Sequence, residues 1–158
     1  MEPRIVTLES KKLIGKSLSM SLINDKTGEL WKSFGPKIKD IDNRLNADKI
    51  SLQVYDPTYH SDFNPTKEFE KWALVEVKDF SDIPEDLETF LLVDGDYAVF
   101  DYKGSSADST IYQHIFMTWL PKSIYRLDNR PHFEVLGEKY KNNDPSSEEE
   151  IWIPIREK

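Results

Sequence analysis

Glu134 is the side chain around which chemistry is most readily built. It lies in His132-Phe133-Glu134-Val135-Leu136-Gly137, a strand-like run. In a strand, positions 134 and 136 point to one face while 133 and 135 point to the other. Phe133 and Val135 suit a core covered by helices, which turns Glu134 and Leu136 toward a groove. The pseudo-symmetry of an internal repeat places Gln53 and Tyr55 opposite them. Parity also puts Trp72, Leu74 and Trp152 on the groove face of the paired strands, with Ala73, Val75, Ile151 and Ile153 in the core. Large aromatics, two leucines and one carboxylate are the composition that suits a lipophilic cation. Aromatic faces attract delocalised positive charge at roughly 0.5–2 kcal/mol per good contact, and the carboxylate supplies the countercharge. A buried carboxylate without a partner costs several kcal/mol or takes up a proton. A cation relieves that penalty and an anion aggravates it, so selectivity would follow from the missing partner. The plain alternative is an outward Glu on an ordinary antiparallel strand, with Trp72 and Trp152 as core.

Other chemistry finds little support. The chain has no GK[ST] phosphate loop, no GxGxxG, no HExxH, no GxSxG and no cysteine, which removes thiolate nucleophiles, thiolate metal sites and disulfides. His60, His114 and His132 are scattered and read as surface or satisfied histidines, so no metal is expected and no motif asks for a cofactor. Glu148-Glu149-Glu150 lacks the alternating oxygens and turn glycine of a calcium loop and reads as a solvated acidic loop. Ser105-Ser106 after Gly104 reads as the approach to a helix.

The elements that would position the groove follow from periodicity. Ile14, Leu18 and Met20 alternate with Gly15, Ser17 and Ser19 as a strand. Leu30, Phe34, Ile38 and Ile41 recur at helical spacing, with Pro36 expected to kink or tighten that helix. Ile50 to Tyr55 and Phe69 to Val77 read as strands around a loop containing Pro57, Asn64 and Pro65. The order then repeats. Tyr97 to Phe100 forms a strand, and Ile111, Ile115 and Trp119 form a helix row beside Tyr112, Phe116 and Leu120, stopped by Pro121. His132 to Gly137 and Ile151 to Ile155 are the last strands, with a polar loop from Lys141 to Glu150 between them.

An offset of 81 residues lays Leu18 on Val99, Leu30 on Ile111, Trp31 on Tyr112, Leu52 on Phe133 and Val54 on Val135; it becomes 78 for Ala73-Leu74-Val75 on Ile151-Trp152-Ile153. The expected fold is therefore α+β: two βαββ units (about 4–77 and 85–155) in one domain over 1–158, related by a pseudo-twofold axis. A curved antiparallel sheet would carry two main helices on one side and a central ligand groove between the halves. Trp31 and Tyr112 are expected to pack on the sheet.

Composition sets limits. The 158 residues carry a net charge of −8 with a pI near 4.9, unlike a surface that must neutralise phosphates, so no direct nucleic-acid binding is expected. With 38% apolar residues, including four Trp, seven Tyr and eight Phe, the chain is no disordered acidic tail. No run approaches the roughly 20 apolar residues of a membrane span, and Met1-Glu2-Pro3-Arg4 does not begin a secretory signal. A cytoplasmic protein without a membrane partner is the expectation.

Leu120-Pro121, then Leu127-Asp128-Asn129-Arg130-Pro131-His132-Phe133-Glu134, and the closing Glu150-Ile151-Trp152-Ile153-Pro154-Ile155 resemble the GyrI-like small-molecule-binding domain. This is the effector-binding domain of AraC-type and MerR-type transcription activators. Leu30-Trp31 and Gly95-Asp96-Tyr97-Ala98-Val99-Phe100 extend the resemblance over nearly the whole chain. It implies a duplicated βαββ fold, and it implies that Glu134 is the pocket glutamate that meets the ligand's positive charge in multidrug-binding members. The regulators add a helix-turn-helix reader, for which this chain leaves no room, so direct transcriptional activation is not expected. Stand-alone relatives include sequestering proteins, DNA gyrase inhibitors (making gyrase a candidate protein partner) and hydrolases of cyclopropane-bearing alkylating compounds. In a hydrolase, Glu134 would act as base or charge stabiliser and Tyr55 as its partner hydroxyl. The haem-binding relatives of similar, SOUL-like fold fit least, because no histidine is placed in the groove.

Overall fold

Leu52 and Phe133, fully buried and 81 residues apart, stand directly opposite each other in the middle of the sheet. The computed structural model, which describes residues 1–158, builds outward from that pair. The strands are β1 (Arg4–Leu8), β2 (Lys11–Met20), β3 (Lys49–Val54), β4 (Phe69–Val77), β5 (Glu88–Leu92), β6 (Gly95–Lys103), β7 (Tyr125–Leu127), β8 (His132–Leu136) and β9 (Glu148–Glu157). All pairings are antiparallel, in the order β1-β6-β9-β8-β3-β4-β2-β5, with β7 added beside β9. The two βαββ units are β2-α1-β3-β4 and β6-α2-β8-β9, where α1 is Thr27–Phe34 and α2 is Thr110–Gln113, and the central β3–β8 ladder joins them.

The helices open with the same device. Asp25 accepts hydrogen bonds from the backbone N–H and hydroxyl of Thr27, and Asp108 does so from Thr110, a local bond that favours the turn into a helix. The first helix, α1 (Thr27–Phe34), continues as a 3₁₀ stretch over Gly35–Asp40 containing Pro36, so the proline tightens the turns. The second begins as α2 (Thr110–Gln113), widens into a π-helical stretch (His114–Trp119) and closes with α3 (Leu120–Lys122). Pro121 sits within that last turn and the helix ends one residue beyond it. Leu30, Phe34 and Ile38 pack one helix on Ile14, Ala73 and Val75; Ile111, Ile115 and Trp119 pack the other on Ala98, Phe100, Ile151 and Ile153.

Two short strands, β1 and β5, were not legible in the periodicity, and they change the shape. Strand β1 leads into β2 but pairs with β6, while β5 leads into β6 but pairs with β2. Each half thus lends its first strand to the far edge of the other. The connections are only Glu9-Ser10 and Val93-Asp94, so the two ends of the sheet are drawn round toward each other. The concave face closes on a second core of Leu8, Leu13, Leu52, Leu74, Leu92, Tyr97, Val99 and Phe133. Burying each such side chain is worth about 1.5–3 kcal/mol. Strand β2 approaches β4 so closely that a Cβ on Gly15 would lie 1.8 Å from the Ala73 carbonyl oxygen.

Pairing register corrects five face assignments. Glu134 stands beside Ser51 and Ile151, whereas Phe133 stands beside Leu52 and Trp152, and Trp72 beside Leu52. Phe133 and Val135 therefore belong to the concave core, away from the helices, and Trp72, Leu74 and Trp152 lie there with them. Leu18 faces the helices while Val99 faces the concave core, so the offset of 81 fails in the first strand of each unit. No helix is long and apolar enough to cross a membrane.

Candidate functional site

Between the two helices the convex face of the sheet carries polar side chains. Its floor is a grid of three rows across the central strands. One row holds Lys71 of β4, Gln53 of β3 and His132 of β8. The next holds Ala73, Ser51, Glu134 and Ile151, and the third Lys49 paired with Leu136, while Glu149, one residue past the last β8–β9 pair, stands beside Tyr102 of β6. Tyr55 follows directly on β3. The cross-strand neighbours of Gln53 and Glu134 leave these two, 81 apart, diagonal to one another, and the Gln53 Nε2–H donates to Glu134 Oε1 at 3.1 Å.

Lys71 reaches diagonally over Gln53 to place its Nζ 4.0 Å from Glu134 Oε1, and each of these side chains is only 12% exposed. The Glu134 carboxylate therefore has both a hydrogen bond and a countercharge, unlike the partnerless group expected from its strand. Burial still pushes its pKa up, against the pull of Lys71 and Gln53. Glu149 differs. Its carboxylate accepts no hydrogen bond and forms no ion pair, and burial, then the charge of Glu134, pushes it up to about 7 against the pull of Lys71. Tyr112, from the second helix, and Tyr55 lie close enough to feel Glu134, and burial holds both phenols well above the usual tyrosine range.

The two ends of this floor are unlike. Beyond Tyr55, the connection from β3 to β4 folds over as a box of rings. Tyr55 lies 4.5 Å from Tyr59 and 4.9 Å, edge-on, from His132 (centroid distances). His60 stacks on His132 at 5.0 Å and on Phe116 of the second helix at 5.3 Å. His132 is 6% exposed, and burial with the nearby His60 lowers its pKa to about 3; burial lowers His60 as well. At the other end, a cavity of about 690 Å³ opens between β6, the β8–β9 connection and the start of β3, lined by Leu136, Glu149, Tyr102, Tyr140 and Lys49 among others. Glu149 belongs both to that cavity and to the charged floor.

Of the residues singled out in the sequence, Glu134, Tyr55 and Leu136 share this face, and Trp72, Leu74 and Trp152 do not. The sequence gives no role to Lys71. It predicts Glu149 in a solvated acidic loop, whereas β9 begins at Glu148, and it predicts no histidine in the groove, whereas His132 stands in the first row of the floor and stacks on His60. Lys71 and Glu149 carry a readable signal, since each shares the parity of the helix-facing residues that follow it, Ala73 and Ile151. The stack depends on the fold of a loop and has no such signal.

A duplicated βαββ sheet with a charged, ring-walled groove between its helices is the architecture of an effector-binding domain. The chain belongs to the family described as integron-associated effector binding protein, Cass2, which it matches over residues 4–155, within the GyrI-like group that its motifs resemble. It is 26% identical over 157 residues to the transcriptional regulator BrlR of Pseudomonas aeruginosa, an alignment covering 98% of this chain and 56% of that regulator; the chain thus spans little more than half of this relative's length. Its fold is shared by the SAV2435 protein bound to tetraphenylphosphonium (TM-score 0.69, 16% identity, 99% of this chain and 94% of that one). It is also shared by an integron cassette protein from the mobile metagenome of Vibrio cholerae (TM-score 0.65, 17% identity, 98% and 96%).

Proposed function

We propose that this effector-binding domain takes a lipophilic, aromatic cation into the groove between its helices, and senses or sequesters it. The observation that carries this reading is the charge of the groove floor: two carboxylates, Glu134 and Glu149, feel one buried ammonium, Lys71, among aromatic rings, while Lys49 at the rim is exposed and pairs with neither. A monocation balances the remaining charge, and Tyr55, Tyr112 and Leu136 supply apolar and aromatic contact. The tetraphenylphosphonium-bound relative of the same fold supports the choice of ligand class.

The test is calorimetric titration of the purified protein with tetraphenylphosphonium and with neutral triphenylphosphine oxide, using wild type and Glu134→Gln. Saturable binding of the cation alone is expected, weakened about tenfold in the variant, a change worth about 1.4 kcal/mol. Equal affinity for the neutral compound would remove the charge argument. Recovered ligand should be unchanged by mass. For an alkylating, cyclopropane-bearing compound, a hydrolysed product that disappears with Glu134→Gln would instead assign the groove carboxylate to catalysis.

A further inference from the structure

We propose that Lys71 is a built-in competitor of the ligand: its ammonium sits against the Glu134 carboxylate and gives way when a lipophilic cation arrives. The inference rests on the reading of the groove as a cation site and names the residue that sets how tightly the cation is held. Three features of the geometry carry it.

First, the pair is lopsided. The Gln53 amide donates to Glu134 Oε1 at 3.1 Å, and Lys71 Nζ lies 4.0 Å from that same oxygen, which leaves Oε2 without a partner. Neither Oε2 nor Nζ is sealed in, since the one enclosed side-chain nitrogen or oxygen lacking a hydrogen bond is Nη1 of Arg130, whose guanidinium lies over the Tyr97 ring. A cation can therefore approach Oε2 while Gln53 keeps the carboxylate in place.

Second, Lys71 is held by charge alone. At 4.0 Å its ammonium is beyond hydrogen-bond distance of Glu134, and it pairs with no other acid. Its row on the sheet is Leu18, Gln53 and His132, with no carboxylate among them. A lysine ammonium is strongly hydrated and rides on a flexible four-carbon stem, so withdrawal to the groove mouth gives up one ion pair and regains water. A delocalised organic cation has the opposite preference, for aromatic faces over water. Third, the duplication is polarised. The repeat offsets carry Gln53 onto Glu134 and Lys71 onto Glu149, so one half supplies an amide and an ammonium and the other supplies both acids. On the far flank of Glu134 stands Ile151, and no second ammonium pairs with the carboxylate.

The pair thus works as a filter. A neutral ligand leaves it intact and gains nothing from Glu134, whereas a cation must displace Lys71 to reach full contact. Because the ammonium is part of the fold its effective concentration is high, which lowers affinity for the cation and speeds its release.

The first experiment uses wild type alone, so it does not depend on a variant folding. Lysines are reductively methylated with formaldehyde and cyanoborohydride, with and without saturating tetraphenylphosphonium, and counted one by one by mass spectrometry. Lys71 should become at least about threefold more reactive when the cation binds. Unchanged or reduced reactivity would mean that Lys71 stays beneath the ligand, and would overturn the proposal. The second compares affinities of wild type and Lys71→Met for tetraphenylphosphonium and neutral triphenylphosphine oxide. The cation should bind about tenfold more tightly to the variant, and the neutral compound should change less than about twofold. An equal gain for both would make Lys71 a steric obstruction, and a loss of cation affinity would make it a support for Glu134; either overturns the proposal. No saturable cation binding by wild type or by Lys71→Met would instead remove the parent reading, and this proposal with it.

Discussion

The two ends of the groove occupy equivalent places in a duplicated fold and have become opposites. At one end Tyr55 is covered by the β3–β4 connection, whose Tyr59 and His60 complete a box with Phe69, Phe116 and His132. At the other, Leu136, which follows Tyr55 at the repeat offset, lines an open cavity with Glu149, and the β8–β9 connection stands away from the floor. The strands and helices keep the duplication because each must bury the same stripe against the same sheet. The connections are free of that constraint, so divergence of the two loops is enough to make one end a plug and the other a mouth. We infer that the ring-packed first end contributes more to stability, while the second, open beside Glu149, has room for a ligand.

The largest expected effect tests this division of labour. Tyr59 is 4% exposed and lies in contact with four other rings, so Tyr59→Ala should cost about 3 kcal/mol of unfolding free energy in urea denaturation. Tyr140→Ala, at the open end, should cost no more than about 1 kcal/mol, since its phenol makes only long bonds of 3.4 and 3.3 Å to Ser106 and Asn142. Similar losses from both would break the comparison.

A smaller effect separates the ends by the sign of their response to acid. His132 is neutral in the folded chain down to about pH 3 and takes a proton above that in the unfolded one, near 6.5. Its contribution is therefore complete above pH 6.5 and is lost as pH falls, by about 2 kcal/mol at pH 5. Glu149 acts the other way. Its folded pKa is raised from 4.5 to about 7, so acidification through that window favours the folded state. Denaturation at pH 7 and pH 5 should show His132→Phe protecting against acid and Glu149→Gln removing a gain. Matching slopes in the two variants would refute the assignment of opposite roles.

The smallest effect concerns binding alone. As Glu149 ionises, tetraphenylphosphonium affinity should rise about tenfold between pH 6 and pH 8. Tyr59→Ala should leave that dependence unchanged, provided it folds. A flat profile would place the binding charge elsewhere.

Much of this frame was readable from periodicity. The helix rows Leu30-Phe34-Ile38 and Ile111-Ile115-Trp119, the equivalence of Leu52 with Phe133, and the sharing of one face by Glu134, Tyr55 and Leu136 follow from repeat and parity. The face of Trp72, Leu74 and Trp152 did not, because parity fixes which residues share a face within one strand, while register decides how faces match between strands. Both faces of this sheet are apolar along β4 and β9, so the hydrophobic pattern there could not choose. The edge strands β1 and β5 were hidden by their length of five residues and by pairing with the other half. Lys71 was visible in the alternation, but its reach to Glu134 depends on strand neighbours far apart in sequence.

The central claim is that a cation is bound against a carboxylate that must give up a proton to receive it. Calorimetry of tetraphenylphosphonium binding at pH 7, in two buffers of different ionisation enthalpy, counts that proton directly. With Glu149 titrating near 7, wild type should release up to about half a proton per cation bound, and Glu149→Gln should release almost none. Binding by wild type without proton release, or the same release from Glu149→Gln, would contradict the account.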